Sequence, residues 1–105
     1  MPFMKPIDSY LVIYSANSFV PRIGLKQGNT FIGQCVFHSN GAQLPPDLLR
    51  ANGQVDLMYH LDDFHNVLDL LRNEKPLFLN FNGVGPGFEN NIRTDAESVG
   101  EGDKP

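Results

Sequence analysis

A chain of 105 residues with 41% apolar and 19% charged side chains is sized for one domain around one hydrophobic core. Its net charge of −4 is gathered at one end: from Asp95 onward four acids face one base, so residues 1–94 hold eight acids and seven bases. A body so close to neutral lacks the broad positive field used to bind nucleic acid or an anionic membrane surface.

No apolar run approaches the ~20 residues of a membrane helix, and the opening Met1-Pro2-Phe3-Met4-Lys5-Pro6 has no secretory pattern. The single cysteine, Cys35, allows neither an intramolecular disulfide nor a cysteine-based zinc site. The expected compartment is a reducing cytoplasm.

Most of the chain alternates at period two, the pattern of half-buried strands. Residues 9–16 (SYLVIYSA) are rich in β-branched and aromatic side chains and read as the first strand. In 19–26, Phe19, Pro21, Ile23 and Leu25 share one face, and Pro21 places the strand at an edge or a bend. Gln27-Gly28-Asn29 reads as a hairpin turn. The strand 30–38 then sets Phe31, Gly33, Cys35 and Phe37 against Ile32, Gln34, Val36 and His38. After a turn at Ser39-Asn40-Gly41, residues 42–53 form a loop in which Pro46 suits the first turn of a short helix over 46–50. Residues 54–60 alternate again, with Val55, Leu57 and Tyr59 opposite Gln54, Asp56, Met58 and His60.

One segment reads as helix. From Asp62 to Asn73, Phe64, Val67, Leu68 and Leu71 form an apolar stripe, with Asp62 and Asp63 expected to cap the start. Pro76 ends it and a strand follows at 77–82. The stretch Asn80-Phe81-Asn82-Gly83-Val84-Gly85-Pro86-Gly87-Phe88 resembles a phosphate loop, but Phe88, Asn90, Ile92 and Thr94 after it alternate as a strand. Phosphate loops run into a helix whose amides meet the ligand, so this one reads as a hairpin connection. Residues 95–105 read as an acidic tail outside the domain of residues 1–94, with only Ala96 and Val99 to bury.

Three constellations carry candidate chemistry. His60, Asp62, Asp63 and His65 are suitable donors for a divalent metal, although a strand end followed by a helix start does not fix their directions. Cys35 and His38 resemble a thiol and its base, but residues three apart in a strand point to opposite faces, which favours a buried, inert thiol. The polar sheet face is the third. If Ile23, Leu25, Phe37, Leu57 and Leu79 pack inward, then Arg22, Lys26, Gln34, His38, Gln54, His60, Asn80, Asn82 and Arg93 point outward. Arg22, Lys26, Gln34, His38, Asn80 and Arg93 are the ligand-binding candidates there, with Tyr10, Tyr14 and Phe78 as stacking platforms.

The block Val67-Leu68-Asp69-Leu70-Leu71-Arg72-Asn73-Glu74-Lys75-Pro76 resembles a segment shared by a family of small bacterial proteins without an assigned activity, written VLDLLRNExP. Gly41-Ala42-Gln43-Leu44-Pro45-Pro46 resembles the same family's glycine-plus-LPP turn. Glu97-Ser98-Val99-Gly100-Glu101-Gly102-Asp103 is similar to its EPVGEGE ending, with Ser98 in place of proline. The similarity runs from about residue 8 to 103. It implies a free-standing small bacterial protein and transfers no catalytic residue.

The expected fold is α+β: an antiparallel sheet of five to six strands with one main helix over about 62–73 on one face, in the order β-β-β-β-α-β-β. The expected function is a non-enzymatic binding or interaction module, a homodimer with a further protein or small-molecule partner and no cofactor. Two alternatives stand beside it: a single-stranded nucleic-acid accessory protein using the polar sheet face, and a small metal-dependent enzyme using His60, Asp62, Asp63 and His65.

Overall fold

A computed structural model describes residues 2–100. Among these residues the fold is α+β, with one helical segment and eight strands in two sheets. The strands are β1 (Phe3–Pro6), β2 (Ser9–Ile13), β3 (Arg22–Gln27), β4 (Thr30–His38), β5 (Leu48–Leu49), β6 (Val55–His60), β7 (Leu77–Phe81) and β8 (Asn91–Thr94). A 3-10 turn, Leu61–Asp63, runs into the single α-helix α1 (Phe64–Asn73).

The single antiparallel sheet expected from the alternation is instead two sheets. One is three-stranded and antiparallel, in the order β1-β7-β8; the other is five-stranded and mixed, in the order β2-β3-β4-β6-β5. The mixed character comes from β4 and β6, which run parallel in the register Gly33↔Val55 to His38↔His60. Parallel neighbours need a long crossover, and residues 39–54 supply it, returning the chain along β5 before β6 begins. Residues 46–50 therefore do not coil into the expected helical turn. Leu48 and Leu49 pair with Asp56 and Val55, and the turn closes with Arg50 N donating to Gln54 O at 2.8 Å.

The sheets share one core. Ile23, Leu25, Cys35, Phe37, Val55 and Leu57 face Leu77, Leu79, Phe81 and Ile92, and Leu79 of β7 reaches Gly33 of β4 across it. The inward face expected for Ile23, Leu25, Phe37, Leu57 and Leu79 is buried throughout. The alternation fails once. Leu25 pairs with Gly33 and Lys26 with Phe31, which leaves Ile32 as a bulge. The bulge buries Ile32 and turns Phe31 out beside Lys26, so Cys35 shares its face with Phe37 but not with Phe31.

The helix buries Phe64 and Val67, while Leu68, Leu70 and Leu71 are only partly buried against the core. The Phe64 ring meets Phe37 edge-on at 4.8 Å and Tyr14 at 5.6 Å. Neither Asp62 nor Asp63 makes the expected cap; the amide of Asp62, in the first positions of the 3-10 turn, is instead met by Asn40 Oδ1 at 2.8 Å. At the other end, Glu74 is extended and its amide closes onto Leu70 O at 3.0 Å.

The glycine stretch is the hairpin loop between β7 and β8, as its flanking alternation predicts. The Asn90 side chain fills it: Oδ1 accepts from Asn82 N at 2.7 Å and Gly83 N at 3.3 Å, while Nδ2 donates to Gly83 O at 2.8 Å. Two of the loop amides that a phosphate would need are thus already used. Of the tail, residues 95–100 are exposed and Val99 fully so, while Glu101 and Asp103 lie outside the described residues.

Candidate functional site

The outward face of the five-stranded sheet is built by pairing. Leu11, Gly24, Gln34, Asp56 and Leu48 form one row across it, and Ile13, Arg22, Val36 and Met58 form the next. His38 and His60, the last residues of β4 and β6, sit side by side at one end.

Asp56 anchors this face. Only 3% exposed, it takes Arg50 through two nitrogens, with Nη2–Oδ2 at 2.6 Å and Nε–Oδ2 at 3.0 Å. Gln34 Nε2 donates to its other oxygen, Oδ1, at 3.2 Å. A buried carboxylate survives when it is paired and hydrogen-bonded on both oxygens. The hydrogen bond to Asp56, then its charge, raises the Arg50 pKa above its ordinary value. Asp47 joins the two sheets: Oδ1 accepts from Met58 N at 2.9 Å and Oδ2 from Asn90 Nδ2 at 3.0 Å.

The six ligand-binding candidates do not form one surface. Arg22, Lys26, Gln34 and His38 lie on the outward face of the five-stranded sheet, whereas Asn80 and Arg93 belong to the three-stranded sheet, whose outward face is on the far side of the shared core. Most of them also have neighbours already. Arg22 donates to Val20 O at 3.2 Å, Lys26 lies 5.1 Å from the centre of the Phe31 ring, and Gln34 serves Asp56.

The proposed metal donors separate as well. His60 Nε2 is 2.7 Å from Ala42 O, and Asp62 exchanges two hydrogen bonds with the Asn40 amide at 2.8 and 2.9 Å. Among the described residues no three His, Cys, Asp or Glu side chains gather as metal ligands. What does gather near His60 is His38, whose Nε2 lies 3.3 Å from Met58 Sδ. Met58 was visible in the sequence only as an apolar residue alternating with Asp56 and His60 on an otherwise polar face.

Cys35 is buried on the core face, opposite His38. Burial pushes its thiol far above the ordinary range, with a smaller contribution from Asp47. Tyr59 is pushed up mainly by burial too. Both groups are held neutral in the fold but ionise in the unfolded chain from about pH 8.5 and 10. Their raised folded pKa values therefore contribute stability that is fully present below the unfolded-chain values and is lost as pH rises from those toward the folded ones. The denaturation midpoint is expected to stay level to about pH 8.5 and fall above it. Tyr59→Phe should remove part of the fall above about pH 10. Denaturant titrations from neutral to alkaline pH check this, and a midpoint that rises with pH would refute it.

No family model, curated protein or solved structure matches this chain. Among the described residues no helix is long and apolar enough to cross a membrane. A cleft of about 760 Å³ lies between the β1–β2 junction and the end of α1. Its charged lining is of mixed sign, with Asp8 and Glu74 beside Arg72 and Lys75, and Asp8 already accepts from Gly28 N at 2.6 Å.

The clearest outward feature is an edge. Four strands end a sheet: β1, β8, β2 and β5. β1 carries Lys5 and Pro6, β8 carries Arg93, and β5 has two residues. Short length, charge and proline are the usual devices that stop an edge from pairing with another chain. β2, Ser-Tyr-Leu-Val-Ile, has none of them. Leu11 is 49% and Val12 39% exposed, and Tyr14 and Phe19 just beyond are each 64% exposed.

Proposed function

We propose that this chain is a non-enzymatic binding and interaction module that works as a homodimer, two copies meeting along β2. The observation that carries this reading is the unprotected β2 edge: a strand without charge or proline, with apolar side chains exposed on both of its faces. Antiparallel pairing of β2 with its own copy is isologous, so one patch serves both subunits and the assembly closes at two. No like charges meet along Ser9–Ile13, and Tyr14 and Phe19 extend the apolar contact beyond the strand.

The non-enzymatic part rests on how the reactive groups are engaged. Cys35 is buried away from His38, Asp56 is neutralised by Arg50, and His60 is tied to Ala42 O. A cytoplasmic location fits a lone, unoxidised thiol.

Sedimentation at micromolar concentration tests the proposal. The wild-type chain is expected to run as a dimer and Leu11→Lys as a folded monomer, because a lysine on an edge strand disfavours pairing. Amide exchange within residues 9–13 should slow as wild-type concentration rises. A wild-type monomer, or a Leu11→Lys dimer of unchanged affinity, overturns it.

A further inference from the structure

We propose that His38, Met58 and His60 form a binding site for a soft monovalent metal ion, Cu(I). The parallel pairing of β4 and β6 creates it. Val36↔Met58 and His38↔His60 are successive same-face pairs, so a thioether and two imidazoles share one face near the carboxyl ends of two parallel strands.

The distances suit a metal. His38 Nε2 lies 3.3 Å from Met58 Sδ. With metal–nitrogen bonds of about 2.0 Å and metal–sulfur bonds of about 2.3 Å, two donors on one ion at about 100–110° are ~3.3–3.6 Å apart. The pair needs almost no movement to chelate. A thioether is a poor hydrogen-bond acceptor, so the hydrogen-bond account of the same contact leaves His38 with a weak partner.

The third donor is prepared by its own hydrogen bond. Ala42 O can only accept, so His60 Nε2, 2.7 Å away, carries the proton and the lone pair is on Nδ1. Metal-binding imidazoles commonly donate their other N–H to a backbone carbonyl in this way, which sets the tautomer and steadies the ring.

The donor set selects the metal. Thioether and imidazole without carboxylate favour Cu(I) over Mg²⁺, Ca²⁺ or Zn²⁺. The nearby acids are held elsewhere, Asp62 by Asn40, Asp56 by Arg50 and Asp47 by the Met58 amide and Asn90. Three neutral ligands leave a single positive charge, which a half-buried site tolerates better than a divalent one. A cleft of about 460 Å³ between residues 43–47 and 85–90 is lined by Met58, so the thioether can be reached from that side. This site is independent of the β2 edge.

The test uses Ag(I), which matches Cu(I) in softness and does not change oxidation state, and Cu(I) itself under ascorbate against a chromogenic chelator. The protein is the full chain with Cys35→Ala, which removes its only thiol; the wild-type chain serves if that variant does not fold. One equivalent is expected to bind and to shift the Met58 methyl and the His38 and His60 ring resonances. Met58→Leu, which nearly conserves volume, and His60→Gln should each weaken binding at least about tenfold. Thermal midpoints confirm that each variant is folded. Full affinity in folded Met58→Leu, unshifted histidine resonances, or Zn(II) binding more tightly than Ag(I) overturns the assignment.

Discussion

Phe37→Ala is expected to lower the free energy of unfolding by about 3–5 kcal/mol. The ring is 1% exposed at the centre of the shared core. It stacks on Tyr59 with centroids 5.6 Å apart and meets the edge of Phe64 at 4.8 Å. Truncation removes the apolar transfer term and both aromatic contacts, each worth about 0.5–1.5 kcal/mol beyond area. The space cannot close readily, because Tyr59 is fixed by β6 and Phe64 by the helix start. A domain of ~100 residues has about 5–15 kcal/mol in total, so the variant should be marginal. Urea titration followed by circular dichroism measures the loss. A change below about 1 kcal/mol would mean that the helix does not pack on the sheet through this residue.

Gly33→Ala is expected to cost about 3 kcal/mol or more, at the upper end of overpacking. A β-carbon at Gly33 would lie 2.5 Å from the Val55 carbonyl oxygen and 3.1 Å from the Leu79 side chain. The closer atom is backbone, in a strand hydrogen-bonded to β4, so relief requires the strands to part. Leu79, from the other sheet, blocks the opposite direction. Gly24→Ala is the control. Its β-carbon would come 2.8 Å from the Phe31 ring, which is exposed and can swing aside. The lost freedom of the unfolded chain should return ~0.4–1 kcal/mol there, leaving Gly24→Ala near neutral. Equal losses at the two glycines would show that Val55 and Leu79 do not crowd Gly33.

Local pattern carried much of the architecture. The hairpin at Gly28-Asn29, the helix from its apolar stripe and the glycine hairpin before β8 each depend on residues within one or two turns of chain. Periodicity and turn chemistry report such elements directly. Two strands left no such trace. β1 has four residues ending in proline, and β5 has two, too short for alternation to register. The Ile32 bulge was equally silent, because one extra residue moves Phe31 and Ile32 to opposite sides without altering composition.

The candidate surfaces divide along the same line. The apolar content of Ser9–Ile13 is written in the sequence, but its place at a sheet edge is not. Met58, His38 and His60 were each assigned correctly to the outward face, yet nothing local joined them. In the all-antiparallel sheet expected from the sequence, these two strands as neighbours would have placed His38 and His60 at opposite ends. Alternation is the same in parallel and antiparallel strands, so a single strand's pattern says which face a side chain takes and not which neighbour it meets. By itself the sequence determined the helix, the turns and the inward face from Ile23 to Leu79. The division into two sheets, the ion pair on Asp56 and the meeting of His38 with His60 were decided only by the tertiary structure, because each depends on strand partners brought together from distant parts of the chain.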